Sequence, residues 1–140
     1  MATKTYNSKK VLVSFAGKIL TGTMDGSFVT ASRNNDSFTL AIGSDGEAAR
    51  AANSDQSGTV TVTLMQTSPS NDDLANLMAQ DELTNVGTGA LFVKDASGRT
   101  LVSAVEAWIR KPADSEFAKE IGGREWTFET GRLDIFNGGN

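Results

Sequence analysis

The sequence contains no histidine and no cysteine among its 140 residues. The chain therefore lacks the commonest metal ligands and the usual nucleophile–base pairs of catalytic sites. Disulfides are excluded as well, which fits a reducing compartment such as a cytoplasm. No apolar run approaches the roughly 20 residues of a membrane-spanning helix, so we expect no membrane anchor. These absences predict a protein that is not an enzyme and uses no metal or cofactor.

The polar groups that remain form no recognisable catalytic pattern. Asp72 and Asp73 are adjacent, and helical neighbours point about 100° apart, so the pair suits helix capping better than acid–base chemistry. Residues 44–47 lack the alternating acids of a calcium loop. The glycines at 87–89 and 122–123 are not followed by the Lys-Ser/Thr of a phosphate-binding loop. A hydrolase that uses carboxylates alone stays open as a third-ranked alternative.

Most of the chain alternates between polar and apolar residues, which is the pattern of half-buried β-strands. In the clearest case, residues 59–64, threonines face one way and Val60, Val62 and Leu64 the other. Trp108 and Trp126 take alternating strand positions, for which core packing is the expected role. Further strands are predicted at residues 11–16, 19–21, 27–30, 90–94, 100–110 and 124–130. We expect one mainly β domain over residues 1–140.

One helix is predicted to interrupt the strands at about residues 70–82. Ser70 is its expected N-cap, and Asp73 completes a pair that resembles a capping box. Three apolar side chains fall on one face at helical spacing. They are Leu74, Leu77 and Met78.

The segment at about residues 33–58 does not fit the strand pattern, because it is rich in Asn, Asp, Ser, Gly and Ala. A structureless loop of this length is uncommon in a compact domain and tends to be functional or disordered. Phe38, Leu40 and Ile42 alternate within it like a short strand that has no obvious partner. This pattern supports two interpretations equally well: a loop that docks on another copy, or a β-hairpin folded back on its own sheet.

Charge is distributed unevenly along the chain, whose net charge is −4. Residues 1–18 carry four lysines and no acid, whereas residues 70–89 carry four acids and no base. The two segments could attract each other between copies, although a solvated surface of mixed sign is the commoner reason for such runs. The negative net charge argues against a nucleic-acid-binding surface.

Seven stretches carry a resemblance that runs the full length of the chain. They are MATKTYN at residues 1–7, RNNDSF at 33–38, GSDGE at 43–47, SGTVTV at 57–62, QTSPSND at 66–72, AVEAWI at 104–109 and LDIFNGGN at 133–140. In their order and spacing they resemble the tail tube protein of contractile-tailed bacteriophages. None of them alone is a diagnostic motif.

The resemblance implies an antiparallel β-sandwich or barrel with one outer helix. It further implies six-membered rings that stack into a hollow tube conducting DNA into the host. The expected partners are copies of the chain itself, the tail sheath, baseplate and tail terminator proteins, and DNA that passes without sequence-specific binding. The expected location is the virion tail, after assembly in the host cytoplasm.

Two other functions stay open beside this one. A secretion-system tube or a baseplate ring subunit would share the fold. From a different class, a β-sandwich carbohydrate-binding module would also be small and β-rich. Such a module normally exposes Trp or Tyr, whereas Tyr6 is the only tyrosine and both tryptophans suit a core.

The resemblance brings no catalytic residues, so the candidate residues are assembly contacts. Candidates for contacts between rings or subunits in the long loop are Arg33, Asp36, Phe38, Leu40, Ile42, Asp45, Glu47 and Arg50. Candidates in an N-terminal arm are Lys4, Tyr6, Lys9 and Lys10. The candidate strand facing the lumen presents Thr59, Thr61 and Thr63.

Overall fold

A computed structural model describes residues 3–139, which form ten strands, one α-helix and a short 3-10 helix at Ser8–Lys10. The strands in chain order are β1 Val11–Phe15, β2 Lys18–Ile19, β3 Val29–Arg33, β4 Phe38–Ile42, β5 Ala48–Ala52, β6 Gly58–Met65, β7 Gly89–Asp95, β8 Leu101–Lys111, β9 Gly123–Thr130 and β10 Asp134–Phe136. The helix, α1, spans Ser70–Thr84 and stands between β6 and β7. The mainly β fold with one helix is therefore confirmed.

Eight strands form one antiparallel sheet in the order β2-β1-β7-β8-β9-β6-β3. The eighth, β10, pairs with residues 101–103 of β8, beyond the stretch of β8 that pairs with β9. The outermost strands are β2 and β3, which are not paired with each other in the described chain. The sheet therefore does not close into a barrel.

The core lies on the concave side of this sheet. The rings of Phe15 on β1 and Phe128 on β9 are 4.8 Å apart between centroids, although β7 and β8 separate their strands in the sheet. Along β6 the side chains alternate between buried and half-buried, as the sequence predicts. Val60, Val62 and Leu64 are almost completely inaccessible to solvent.

Helix α1 covers part of this core, but it does not begin as predicted. Pro69 occupies the N-cap position, and Ser70 is the first helical residue, so the expected Ser70 cap is wrong. The Ser70 amide donates to Ser68 Oγ at 3.2 Å, and Ser70 Oγ instead accepts from the Thr21 amide at 2.9 Å. The predicted apolar face is present: Leu74 is buried, and Leu77 and Met78 pack against the core.

A bulge in β8 overturns the predicted position of Trp108. Strict alternation would place Trp108 on the same face as Val102 and Ala104. The pairing of β8 with β7 shifts between Ala104 and Ala107, where an extra residue enters β8. Such a bulge reverses the face of every following side chain. Ala107 therefore points into the core, and Trp108 is only half-buried on the opposite face.

The segment 33–58 is not a structureless loop, because β4 and β5 pair as a separate two-stranded hairpin. Its register places Phe38 opposite Ala52, Leu40 opposite Arg50 and Ile42 opposite Ala48. The hairpin interpretation is correct about strand pairing, but the hairpin does not fold back on the main sheet: every residue of both strands is exposed. Its alanine-rich second strand escaped prediction because it lacks polar–apolar alternation.

Residues 3–139 include no helix with the length and apolar character needed to cross a membrane.

Candidate assembly surfaces

The β4–β5 hairpin carries an exposed apolar face, formed by Phe38, Leu40 and Ile42. The solvent-exposed fractions of these three residues lie between 53% and 68%. The three side chains share one side of the ribbon because they are two residues apart on a strand. Arg50 projects from β5 on that same side, opposite Leu40, with its guanidinium carbon 4.3 Å from the centroid of the Phe38 ring. The apolar face therefore carries a cation next to Leu40 and Phe38.

Hydrogen bonds fix the base of the hairpin to the main sheet. The Asn34 amide donates to the Ser57 carbonyl at 3.1 Å, and Asn35 Nδ2 donates to Asp55 Oδ2 at 2.6 Å. Hydrogen bonds from Ser57, chiefly from its backbone N–H, hold the pKa of Asp55 below its ordinary value, and Asn35 adds to the effect. The candidate Asp36 is exposed at this base. These contacts join the two chain segments at the base of the hairpin, directly after β3 and before β6.

A tight turn joins the two strands of the hairpin. The Gly43 amide donates to the Glu47 carbonyl at 2.8 Å, and Asp45 Oδ1 accepts from the Glu47 amide at 3.1 Å. Gly46 has a φ of +86°, a conformation that side chains with a Cβ rarely adopt. Asp45 thus stabilises the turn, while the Glu47 side chain is exposed at the tip.

Arg33 differs from the other candidate residues of this segment. It is half-buried at the end of β3, and its Nε donates to the Leu133 carbonyl at 2.9 Å. The guanidinium therefore links β3 to the corner between β9 and β10 within one subunit. No signal in the sequence distinguishes it from the exposed residues nearby.

The N-terminal arm is exposed beside the open edge of the sheet. Asn7 caps the 3-10 helix by accepting from the Lys9 amide at 3.0 Å. Tyr6, at 56% exposure, lines a pocket of about 260 Å³ together with Val11 of β1 and Val29 of β3. This pocket marks the gap where the curved sheet stays open. Lys4, Lys9 and Lys10 form no ion pair with any of residues 3–139.

The basic and the acidic segment form one ion pair inside the subunit, whereas the sequence suggested an attraction between copies. Lys18 Nζ lies 3.2 Å from Asp73 Oδ1, which joins the β2 end of the sheet to the first turn of α1. Both side chains are about half-exposed, so the pair contributes little to stability.

The threonines of β6 form part of a polar outer face. Thr59, Thr61 and Thr63 are half-buried on the side opposite the core. Their direct neighbours on β9 are Glu129, Thr127 and Glu125, respectively. Glu129 also forms an ion pair with Arg110, with 3.5 Å between Glu129 Oε1 and Arg110 Nε. Where β6 pairs with β9, the face thus consists of hydroxyls and carboxylates. On β8, Trp108 and Lys111 lie opposite Glu129 and Thr127, and the two basic neighbours Arg110 and Lys111 are paired with Glu129 and Asp114.

A groove on the same outer side was not predicted from the sequence. It has a volume of about 370 Å³ and opens where β8 bulges and the chain turns from β9 into β10. Its walls are Val105, Glu106, Trp108, Thr130, Gly131, Arg132 and Asp134. Prediction of this groove would require the position of the bulge, which strand alternation does not reveal. Across residues 3–139 no cluster of acidic side chains has the geometry of a metal site.

Comparison with known proteins identifies the family. Residues 12–138 match the model of the bacteriophage PhiTE tail tube protein family. The chain belongs to this tail tube family. It is also 33% identical over 123 residues to structural protein ORF10 of Pseudomonas phage KPP10, a match that covers 86% of this chain and 71% of that protein. The chain is therefore a phage structural protein of the tail.

Solved structures of components of contractile injection systems are similar to this chain in fold. The extended-state sheath/tube terminator of the extracellular system PVC aligns with a TM-score of 0.65, 13% identity and coverage of 97% of this chain and 99% of that one. The PVC sheath–tube complex gives 0.61, 14%, 94% and 91% for the same quantities. The tube-terminating cap of the anti-feeding prophage gives 0.60, 13%, 97% and 93%. At such low identity the likeness concerns the fold alone.

Proposed function

We propose that this chain is the wall subunit of a contractile phage tail tube, in which six-membered rings stack into a hollow conduit for DNA. The observation that carries the proposal is the uncovered apolar face of the hairpin, found in a member of a tail tube family. A two-stranded ribbon is marginally stable by itself. Exposed apolar patches mark interaction sites. The hairpin therefore supplies the contact between stacked rings, with Phe38, Leu40, Ile42 and Arg50 at its centre.

Neighbours within a ring join through the open edges of the sheet. The edge strands β2 and β3 carry backbone groups that no other strand of the subunit pairs among residues 3–139. Pairing of such edges between copies satisfies these groups and removes a surface that would otherwise aggregate. The gap beside Tyr6 is lined by Val11 of β1 and by Val29 and Ala31 of the edge strand β3. The N-terminal arm, with Lys4, Lys9 and Lys10, supplies a second contact to an acidic surface of a neighbouring copy.

The lumen is lined by the polar outer face of β6 and β9. Thr59, Thr61 and Thr63 present hydroxyls there beside the carboxylates of Glu125 and Glu129. Each lysine–phosphate contact would add affinity for DNA and slow its passage. A wall of hydroxyls and carboxylates lets DNA slide without being held. The protein then needs no catalytic group, and its other partners are the sheath, baseplate and tail terminator proteins of the virion.

A terminating ring is the second candidate function. Two of the similar structures are described as a tube-terminating cap and a sheath/tube terminator. A terminator accepts a ring on one side only, so it would form single rings and stop the growth of tubes. Rings of a tube subunit, by contrast, keep stacking on one another, so the tube continues to lengthen.

Electron microscopy of the concentrated, purified chain tests the proposal. A tube subunit gives six-fold rings and hollow tubes with a repeated axial spacing. Rings that never stack favour the terminator. A monodisperse monomer at every concentration contradicts both, and favours a binding module such as a carbohydrate-binding domain.

A further inference from the structure

The groove on the outer face of the sheet owes its shape to two irregularities that lie side by side. The β8 bulge displaces Val105 and Glu106, and the chain corner at Gly131 interrupts the neighbouring strand. Between them Val105 is 85% exposed and Trp108 is half-buried. A concave surface with an exposed aliphatic and an aromatic side chain is the kind of site that accepts an apolar anchor.

The charges around the groove leave one carboxylate uncompensated. Arg132 Nε pairs with Asp134 Oδ1 at 3.2 Å, so these two charges balance each other. Thr130 Oγ1 donates to the backbone carbonyl of Glu106 at 2.6 Å, which fixes the main chain there. The Glu106 side chain has no ion pair within residues 3–139. The groove therefore combines an apolar floor with one adjacent negative charge.

The hairpin carries the complementary pair of features. Leu40 and Arg50 are directly opposite across β4 and β5, so an apolar side chain stands next to a cation. Cross-strand partners lie about 5 Å apart at Cβ. Arg50 forms no ion pair with residues 3–139, and its only aromatic contact there is Phe38. An apolar anchor beside a cation thus matches an apolar groove beside an anion.

We propose that the hairpin of one copy docks in this groove of a second copy, with Leu40 against Trp108 and Val105 and with Arg50 paired to Glu106. The inference rests on the proposed function and names the surface that receives the hairpin. The N-terminal arm also offers an aromatic ring and cations, but Tyr6 already lines a pocket of its own subunit. Charge complementarity at such contacts fixes register and rejects wrong partners.

Charge exchange tests the contact in the full-length chain. Arg50→Glu and Glu106→Arg are each expected to raise the critical concentration for ring stacking at least about 10-fold, because like charges then face each other. The double variant restores the pair and is expected to stack within about 3-fold of the wild type. Glu116→Arg makes the same charge change at an exposed loop residue and serves as the matched control. Both target side chains are exposed, so the subunits remain folded.

The other outcomes separate this contact from the proposed function. If the wild type stacks and Glu106→Arg stacks equally well, the groove is not the receiving surface and only this inference fails. If both single variants fail and the double variant is not rescued, the pairing of Arg50 with Glu106 is wrong. Rescue of Glu106→Arg by Lys9→Glu would assign the groove to the N-terminal arm and overturn the proposal. A wild type that never forms rings removes the proposed function and this contact together.

Discussion

The guanidinium of Arg50 lies over the ring of Phe38, 4.3 Å from its centroid, and both side chains are exposed on the hairpin. A cation–π contact at an exposed site contributes about 0.5–1 kcal/mol. The contact stabilises an apolar face on a ribbon whose strand residues are all exposed. In the proposed assembly, the same residues matter to the stacking of rings and hardly to the folding of the subunit.

Substitution of Leu40 and Ile42 by serine is expected to leave the subunit stable and to prevent stacking. Both side chains are more than half exposed, so the free energy of unfolding should change by no more than about 0.5 kcal/mol. Urea denaturation measures the stability, and sedimentation measures the assembly. Ala49→Ser, on the other side of the ribbon, is the control and should stack normally. Stacking by Leu40→Ser/Ile42→Ser at wild-type concentrations would contradict the role of the apolar face.

The contact between Phe15 and Phe128 makes the opposite prediction for the core. Each ring is buried, and the pair joins distant strands across the curved sheet. Phe15→Ala or Phe128→Ala should lower the free energy of unfolding by about 3–5 kcal/mol. Because the rings touch, the double variant should lose less than the sum of the two. Urea denaturation of the four proteins checks the coupling, and strictly additive losses would show that the contact carries no energy of its own.

Asn71 connects α1 to the sheet through two hydrogen bonds. Its Oδ1 accepts from the Trp126 indole at 3.0 Å, and its Nδ2 donates to the Met65 carbonyl at 2.9 Å. Asn71→Ala leaves the buried Trp126 indole N–H without its acceptor, while the Met65 carbonyl keeps its hydrogen bond from the Ser68 amide, and should cost about 1–3 kcal/mol. Gln80→Ala, at an exposed position of the same helix, should cost almost nothing. Thermal unfolding followed by Trp fluorescence compares them, and equal stabilities would show that water replaces the amide at no cost.

Gly58 lets the hairpin base approach the corner after β9. A Cβ at this position would collide with the side chain of Leu133, which is itself completely buried. Gly58→Ala should therefore cost about 1–3 kcal/mol through overpacking. Gly131→Ala is the control, because a Cβ there meets open space and φ is not positive. Urea midpoints of the two variants give the comparison, and a tolerated Gly58→Ala would mean that Leu133 repacks freely.

The sequence predicts the regular parts of the fold well. Alternation locates β6 and β9 with the correct buried side chains, and helical spacing locates α1. It fails where a local irregularity changes the period. The β8 bulge moves Trp108 out of the core, and Pro69 takes the position expected for Ser70. Neither event leaves a mark on the polar–apolar pattern.

The candidate surfaces are predicted in part, for related reasons. The alternation of Phe38, Leu40 and Ile42 predicts the apolar face of the hairpin, but the sequence pattern does not predict its alanine-rich partner strand β5. Arg33 proved to bind Leu133 inside the subunit, which depends on a contact between residues 100 positions apart. The groove at Trp108 exists only because of the bulge. Its half-exposed tryptophan also weakens the compositional argument against a carbohydrate-binding module, so family membership decides against that alternative.

Removal of the hairpin is the most direct test of the proposed contact between stacked rings. Residues 36–54 can be replaced by two glycines, since Asn35 and Asp55 already lie within hydrogen-bonding distance and the adjoining strands β3 and β6 are paired neighbours. Electron microscopy then compares this variant with the wild type at equal concentration. We expect tubes for the wild type and, for the variant, folded subunits or single rings that never stack. Tubes of normal length from the variant would contradict the proposed contact.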